Sequence, residues 1–271
     1  MATPYSTVDF GSAPRDDSRE AYQDIKSFCI FIGYPRSGHS LVGSLLDAHP
    51  DIVISHEANV LALLNEGSRD TDLFRQILGN SRRNATWGRQ QSGYSYDVPG
   101  QWQGRFRKLT VIGDKKGGRT SLILREDPSL LDKLVATLNG LPLKMLHVTR
   151  NPFDNIATML VRQQAPTLDA AIDLYFEMAQ AVTETKSRME AGAMLDVRHE
   201  SIITDTAAEL VKMCAFLGVV TEPLYIQACA KIVHKKPNHS RHSVQWTDSQ
   251  KSGVLSRIRS VSFLECYAAD D

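Results

Sequence analysis

One stretch constrains this chain more than any other: Gly33-Tyr-Pro-Arg-Ser-Gly38-His39-Ser40, set between an apolar run and an apolar helical repeat. The run before it, Phe28-Cys-Ile-Phe-Ile32, is continuous, as expected of a strand buried on both faces. After it Leu41, Val42, Leu45 and Leu46 recur at helical spacing until His49-Pro50 stops the helix. Strand, turn and helix in that order give the spacing of the phosphate loop G-x-x-x-x-G-K-[ST], with His39 in the place of lysine. Gly38 lets the backbone pass close to a ligand. The free N–H groups at the helix start, with the helix dipole, can hold a phosphate, and Ser40 can donate a hydroxyl. The lysine of nucleotide triphosphatases serves the β and γ phosphates, so its absence argues against ATP or GTP hydrolysis. Arg36 places a cation inside the loop instead. That suits a donor with one 5′-phosphate bearing another transferable group. The competing reading is a structural corner that binds nothing.

The pattern of short apolar strands and helical repeats continues along the chain. Ile52-Val-Ile54, Leu109 to Ile112, Leu143 to Val148 and Met194 to Val197 read as strands. Ala58 to Leu64, Leu73 to Leu78, a helix pair over 119–139 and a long helix over 168–190 read as helices. Asn151 can cap a helix that Pro152 opens. Thr206 and Glu209 form a capping box, with Gly218 as the stop. Residues 81–108 read as a long polar loop carrying aromatics. Strands alternating with helices predict an α/β fold: a three-layer sandwich with a central parallel sheet flanked by helices. Ligands of such folds bind at the carboxyl ends of the strands, which lines up Gly33, Asp114 and Arg150. Residues 1–22 read as a flexible leader and 23–271 as one domain.

Composition narrows the partners. Thirty-one Lys+Arg balance 31 Asp+Glu in 271 residues, which argues against duplex DNA or an anionic membrane as partner. No apolar run approaches the roughly 20 residues of a membrane span. Cys29, Cys214, Cys229 and Cys266 form no C-x-x-C pair, so buried free thiols in a reducing, cytoplasmic setting are expected. No metal cluster is visible.

Arg150-Asn-Pro-Phe-Asp-Asn-Ile-Ala-Thr158 is the second feature. Arg150 follows a strand and Thr158 lies about two turns into the next helix, so together with the first loop they point to a second phosphate on the same ligand. These residues resemble the sulfotransferases that use 3′-phosphoadenosine 5′-phosphosulfate. The tyrosylprotein-sulfotransferase type carries P-R-S-G-T-T-L and L-D-A-H-P…E-E. Here the stretch runs Pro35-Arg-Ser-Gly-His-Ser-Leu41, then Leu46-Asp-Ala-His-Pro50, then His56-Glu57, without a gap. The resemblance covers most of the chain in outline from Phe28, and is specific over 33–57, 112–116 and 147–158. His39-Ser40 stands where that type has Thr-Thr, and His56 where it has its first glutamate.

The resemblance implies that Pro35, Arg36, Ser37, Gly38, His39, Ser40 and Leu41 form the 5′-phosphosulfate loop. It implies that Arg150 and Thr158 bind the 3′-phosphate. Lys115, with Lys116 in reserve, would stand near the transferred group, and Glu57 falls where the tyrosylprotein enzymes have their catalytic glutamate. Sulfuryl transfer needs a base for the acceptor proton and a cation for the departing oxygen. Glu57, with a pKa raised by partial burial, is the candidate base; the alternative is a helix N-terminal acid. Arg36 and Lys115 are candidates to stabilise the leaving group, against a loop salt bridge and a solvated charge. His39 is a candidate second base or sulfate donor, against a packing role. In the basic stretch Lys235 to Trp246, Arg241 and Ser243 are expected by analogy to reach the 3′-phosphate, against a solvated loop. Trp87, Tyr94, Tyr96, Trp102 and Phe106 are expected on the acceptor side, or else as aromatics pinning their own loop.

The expected reaction moves a sulfuryl group from 3′-phosphoadenosine 5′-phosphosulfate to a hydroxyl, less readily an amine, of a small-molecule acceptor, leaving 3′,5′-adenosine bisphosphate. Three alternatives stand beside it: a small-molecule kinase using ATP and Mg²⁺ through Asp114 and Ser40, a peptide-tyrosine sulfotransferase, and a nucleotide-binding protein without catalysis. The expected partner is the acceptor, and helix 168–190 suits a homodimer contact as readily as the core. Nucleic acid and membrane are not expected.

Overall fold

The computed structural model describes residues 19–91, 93–236 and 238–269. The strands are β1 (Ser27–Gly33), β2 (Ile52–His56), β3 (Gln90–Gln91), β4 (Tyr94–Ser95), β5 (Val111–Lys115), β6 (Leu143–Thr149) and β7 (Met194–Arg198). The helices are α1 (His39–Asp47), α2 (Val60–Asn65), α3 (Asp70–Thr86), α4 (Gly118–Glu126), α5 (Ser129–Thr137), α6 (Pro152–Val161), α7 (Leu168–Arg188), α8 (His199–Thr204), α9 (Thr206–Leu217), α10 (Pro223–Ile232) and α11 (Asp248–Arg259). Five strands form one sheet in the order β2-β5-β1-β6-β7, every neighbouring pair parallel. β3 and β4 make a separate antiparallel hairpin.

All seven residues of β1, the central strand, are buried, which is why its sequence is apolar without alternation. The alternation survives in which core each residue enters. Cys29 and Phe31 join α1, α9 and α10 on one face. Phe28, Ile30 and Ile32 join α2, α3 and α5 on the other. The expected three layers are therefore present. The apolar stripe of α7 (Ala171, Ile172, Tyr175, Met178, Ala179) is spent on a third cluster with α6 and α11, so that stripe faces its own chain rather than a second copy.

The local signals hold in most places. Asn151 accepts a hydrogen bond from Phe153 N, with Pro152 at the first turn of α6, and Gly218 ends α9 in the left-handed conformation. The expected capping box at Thr206 is absent. Asp205 caps α9 instead, accepting from Ala208 N, and Thr206 Oγ1 donates to the Ile202 carbonyl at 2.7 Å. The loop expected from residue 81 is shorter than read: α3 continues to Thr86, and the hairpin follows. Residues 1–18 of the expected leader lie outside the described residues. Arg19–Tyr22 form a 3₁₀ turn, and the Tyr22 ring packs 5.7 Å from that of Phe74. Among the described residues no helix is long and apolar enough to cross a membrane.

Candidate active site

The carboxyl ends of all five parallel strands point to one side of the sheet. A cavity of about 460 Å³ lies there. Each strand delivers lining residues at or just beyond its end: Tyr34 to Arg36 and Gly38 to Leu41 after β1, Glu57 after β2, Lys115 and Lys116 at β5, Arg150 after β6 and His199 after β7. Among the described residues, six lysines and arginines line it (Arg36, Lys115, Lys116, Arg150, Arg162 and Lys236) against the single carboxylate of Glu57. In a chain of zero net charge this is a local concentration of positive potential, and it fits a polyanion.

The loop after β1 is built as its glycines require. Gly38 sits at φ 101°, and a Cβ there would stand 2.3 Å from His199 Cδ2. Only glycine allows both the turn and the close approach of His199. Arg36 is also left-handed, at φ 67°, a conformation that costs a non-glycine residue about 1–3 kcal/mol. The turn points the Arg36 carbonyl at Arg150, whose Nη1 donates to it at 3.3 Å. Arg150 Nη2 donates to the Asn238 carbonyl. One guanidinium thus ties the loop to the segment that closes the cavity. Asn155 on α6 donates to the Pro35 carbonyl.

His39 occupies the lysine position of the motif but not the lysine's role. Its Nε2–H donates to the Ile32 carbonyl at 3.1 Å. The Ser37 hydroxyl lies 2.9 Å from its Nδ1 and 3.0 Å from the Tyr34 carbonyl oxygen. Burial lowers its pKa to about 3, so the ring is neutral near pH 7. A Cβ on Gly117 would come within 2.7 Å of it. His39 therefore stiffens the loop from beneath, although its edge reaches the cavity. Ser37 is fully buried and serves the same internal bracing.

Glu57 lies between two lysines. Lys115 Nζ donates to Oε1 at 2.9 Å and Lys116 Nζ to Oε2 at 2.8 Å. Burial pushes the Glu57 carboxyl up, but these two charges outweigh it and bring it down to about 2. This corrects the expectation of a raised pKa. Lys115 is nearly buried, its side chain 3% exposed, and its Nζ also donates to Ser40 Oγ at 3.2 Å. Its own pKa is lowered by burial, against the pull of Glu57. Lys115, Ser40 and Glu57 are thus one connected group. Thr158 lines the cavity, its hydroxyl donating to the Asp154 carbonyl at 2.7 Å.

Two expected residues lie elsewhere. Arg241 is buried and spent: Nε and Nη2 donate to the two carboxylate oxygens of Asp154 at 3.1 and 2.7 Å, and Nη1 donates to the Ala269 carbonyl. Ser243 is exposed and does not line the cavity. From the same basic stretch it is Lys236 and Asn238 that reach the pocket. The aromatic loop divides as well. Tyr94 and Tyr96 line the cavity, and the Tyr94 ring meets His234 edge-on at 6.1 Å. Phe106 is in the core, and Trp87 is 75% exposed on the surface. Asp114, the metal contact of the kinase alternative, is occupied. It accepts from Ser55 Oγ and from the backbone N–H groups of Ala58, Asn59 and Val60. Among the described residues no group of His, Cys, Asp and Glu is placed to hold a metal.

Sequence reading missed His199, Arg162 and Gln164, all lining residues. His199 was findable by the logic that picked Arg150, being the first residue beyond a strand. Arg162 lies one helical turn past Thr158 and carries no motif of its own.

A sequence model of the Sulfotransferase family matches residues 29–223. Among solved structures, the sulfotransferase domain from the Synechococcus PCC 7002 olefin synthase aligns at TM-score 0.53 and 15% identity, covering 88% of this chain and 95% of that one. The sulfotransferase domain from the curacin biosynthetic pathway aligns at 0.55 and 15%, covering 89% and 99%. Sulfotransferase STF9 from Mycobacterium avium aligns at 0.50 and 11%, covering 88% and 76%. At such identities the structural neighbours speak for the fold alone. A comparison with curated proteins returns no match. The family match spans most of the chain and includes the loop after β1, Glu57, Lys115 and Arg150. The chain belongs to the sulfotransferase family, and is an enzyme whose sulfuryl donor is 3′-phosphoadenosine 5′-phosphosulfate.

Proposed function

We propose that this enzyme sulfates a hydroxyl group of a small-molecule acceptor. The observation that carries the reading is the placement of Glu57 and Lys115 side by side at the ends of adjacent strands, within a cavity whose other Asp, Glu, Lys and Arg lining residues, among those described, are cations. The bound donor supplies the sulfuryl group and the phosphate that leaves with the nucleotide. Arg36 and the N–H groups at the start of α1 hold its 5′ end, and Arg150 and Thr158 its 3′-phosphate. Glu57 takes the proton of the acceptor hydroxyl. A bond forms between that oxygen and sulfur, the bond from sulfur to the bridging oxygen breaks, and its electron pair stays on the departing nucleotide. Lys115 donates to the charge that develops there.

The low pKa of Glu57 belongs to the ligand-free pairing. A carboxylate held by two ammonium groups is a weak base. When Lys115 turns to a donor phosphate, Glu57 loses one of its two opposing charges and its proton affinity rises. Base strength then appears with donor bound, which limits wasteful proton uptake before. The buried thiols Cys29, Cys214 and Cys229 agree with a reducing, cytoplasmic setting. The kinase alternative loses support from the saturation of Asp114 by four donors.

Calorimetric titration with 3′,5′-adenosine bisphosphate, with ATP as control and with and without Mg²⁺, tests the donor site. Binding on the order of micromolar, independent of metal and weakened about 10- to 100-fold in Arg150→Ala, is expected. A screen of phenols, alcohols, sugars, amines and a tyrosine peptide with ³⁵S-labelled donor then tests the acceptor class. Label on the peptide alone would overturn the small-molecule reading.

A further inference from the structure

We propose that Asp114 is a positioning residue: its buried carboxylate folds the 57–59 turn and thereby presents Glu57 to Lys115 and the cavity. The inference rests on the reading that Glu57 takes the acceptor proton.

Asp114 is 2% exposed and both of its oxygens are engaged. Oδ1 accepts from Ser55 Oγ at 2.6 Å and Ala58 N at 2.9 Å. Oδ2 accepts from Asn59 N at 2.9 Å and Val60 N at 3.3 Å. Three consecutive amides therefore converge on one side chain from another strand. The segment needs such a hold. Glu57 and Asn59 both sit in the left-handed region, at φ 62° and 63°, and neither is glycine, so the turn persists only if its surroundings over-determine it. Asn59, at the cap position of α2, makes no side-chain cap bond of its own. Asp114 takes that duty from across the sheet.

Alternation along β5 makes the arrangement work. Adjacent strand residues point to opposite faces. Asp114 grips the Ser55 hydroxyl before Glu57 and the three amides after it, while Lys115, the next residue, grips its carboxylate. Glu57 N also donates to the Lys115 carbonyl at 3.1 Å. Two neighbouring residues of one strand thus hold the turn and the side chain separately. Asp114 is also a charge beside Lys115, so the hold is loosened in two ways, one that removes this charge and one, at Ser55, that keeps it.

The experiment uses the full chain labelled with ¹³C at the glutamate carboxyl, with the Glu57 resonance assigned by its loss in Glu57→Gln. Asp114→Asn keeps the shape but sets an amide donor against backbone donors. Ser55→Ala is the milder variant and keeps the carboxylate, should the first fail to fold. In the wild type the Glu57 signal is expected to stay flat from pH 8 to 4.5. In either variant it is expected to titrate toward the ordinary value of 4.5, with affinity for 3′,5′-adenosine bisphosphate changed less than twofold. A signal as flat in both variants as in the wild type overturns the inference, as does loss of bisphosphate binding in step with the titration. Sulfuryl transfer to an acceptor from the labelled-donor screen separates the two readings. If Glu57→Gln transfers at the wild-type rate, the proton-acceptor reading fails. If Glu57→Gln is impaired, Asp114→Asn should add little on that background, and a full multiplicative loss would overturn the positioning role alone.

Discussion

Glu57 shows how a single residue's chemistry depends on its neighbours. Its carboxylate, held near 2 by Lys115 and Lys116 against the effect of burial, is ionised throughout the physiological range. Glu57→Gln keeps the hydrogen-bonding shape and removes the proton acceptor, so kcat is expected to fall by about 10²-fold or more with donor affinity retained, read by steady-state kinetics and calorimetry on the same variant. Two histidines, His39 buried and His199 half-buried, predict how stability responds to pH. His39 is lowered to about 3 and His199 to about 4, in both cases first by burial. In the unfolded chain each returns to about 6.5 and takes up a proton that the folded chain refuses. Their contribution to stability is complete above that value and drains away as pH falls toward 4 and then 3. Urea midpoints should decline from pH 7 to pH 5, and less steeply in His39→Gln. A midpoint that rises on acidification would contradict the neutral state of both rings.

Among the elements, α6 links most parts of the site. Its cap, Asn151, accepts from Phe153 N and donates to the Ala268 carbonyl at 2.8 Å, so one side chain starts the helix and anchors the far end of the chain. Asn151→Ala should cost about 1–2 kcal/mol, measured by urea denaturation, with the larger local loosening near residue 268. The cap was readable because Asn before Pro is a local signal. The Thr206 capping box was a false local signal. Asp205 stands one residue earlier with a stronger acceptor, and Thr206 finds the Ile202 carbonyl of α8, a short helix directly before α9 that carries no clear local signal. The second half of α3 was likewise missed. Residues 79–86 are polar (Gly-Asn-Ser-Arg-Arg-Asn-Ala-Thr), and the helix is held there by Asp47, the buried last residue of α1, which accepts from Ser81 Oγ.

At the scale of the whole molecule, residues 238–269 pack against α6 and Arg150. Arg241 and Asp154 form the buried joint between that segment and α6. Removing one partner of such a pair leaves a charge without compensation and typically costs about 3–5 kcal/mol. Arg241→Ala should therefore lower stability by an amount in that range and expose residues 238–269 to limited proteolysis. Bisphosphate affinity should fall less than in Arg150→Ala, because Arg241 braces the segment and does not line the cavity. The reverse order of effects would restore the direct phosphate contact expected from the sequence.

What the sequence determined by itself is everything that depends on near neighbours along the chain. The apolar run Phe28–Ile32, the turn of Gly33 to Gly38 and the helix behind it specify a strand–loop–helix unit without reference to the rest of the protein, and Arg150 and Glu57 announce themselves as charged residues just beyond strand ends. The parallel sheet then fixes, by its geometry, that these ends share one edge. The tertiary structure alone decided which charges face one another across that edge. Lys115 and Lys116 on β5 reach Glu57 beyond β2 and reverse its pKa. Asp154 takes Arg241 before any phosphate can. The physical reason is range: backbone conformation follows from steric and hydrogen-bonding preferences over a few residues, whereas a charge takes its role from whatever partner lies within about 4 Å, and in this fold those partners are 58 residues away for Glu57 and Lys115 and 87 for Asp154 and Arg241.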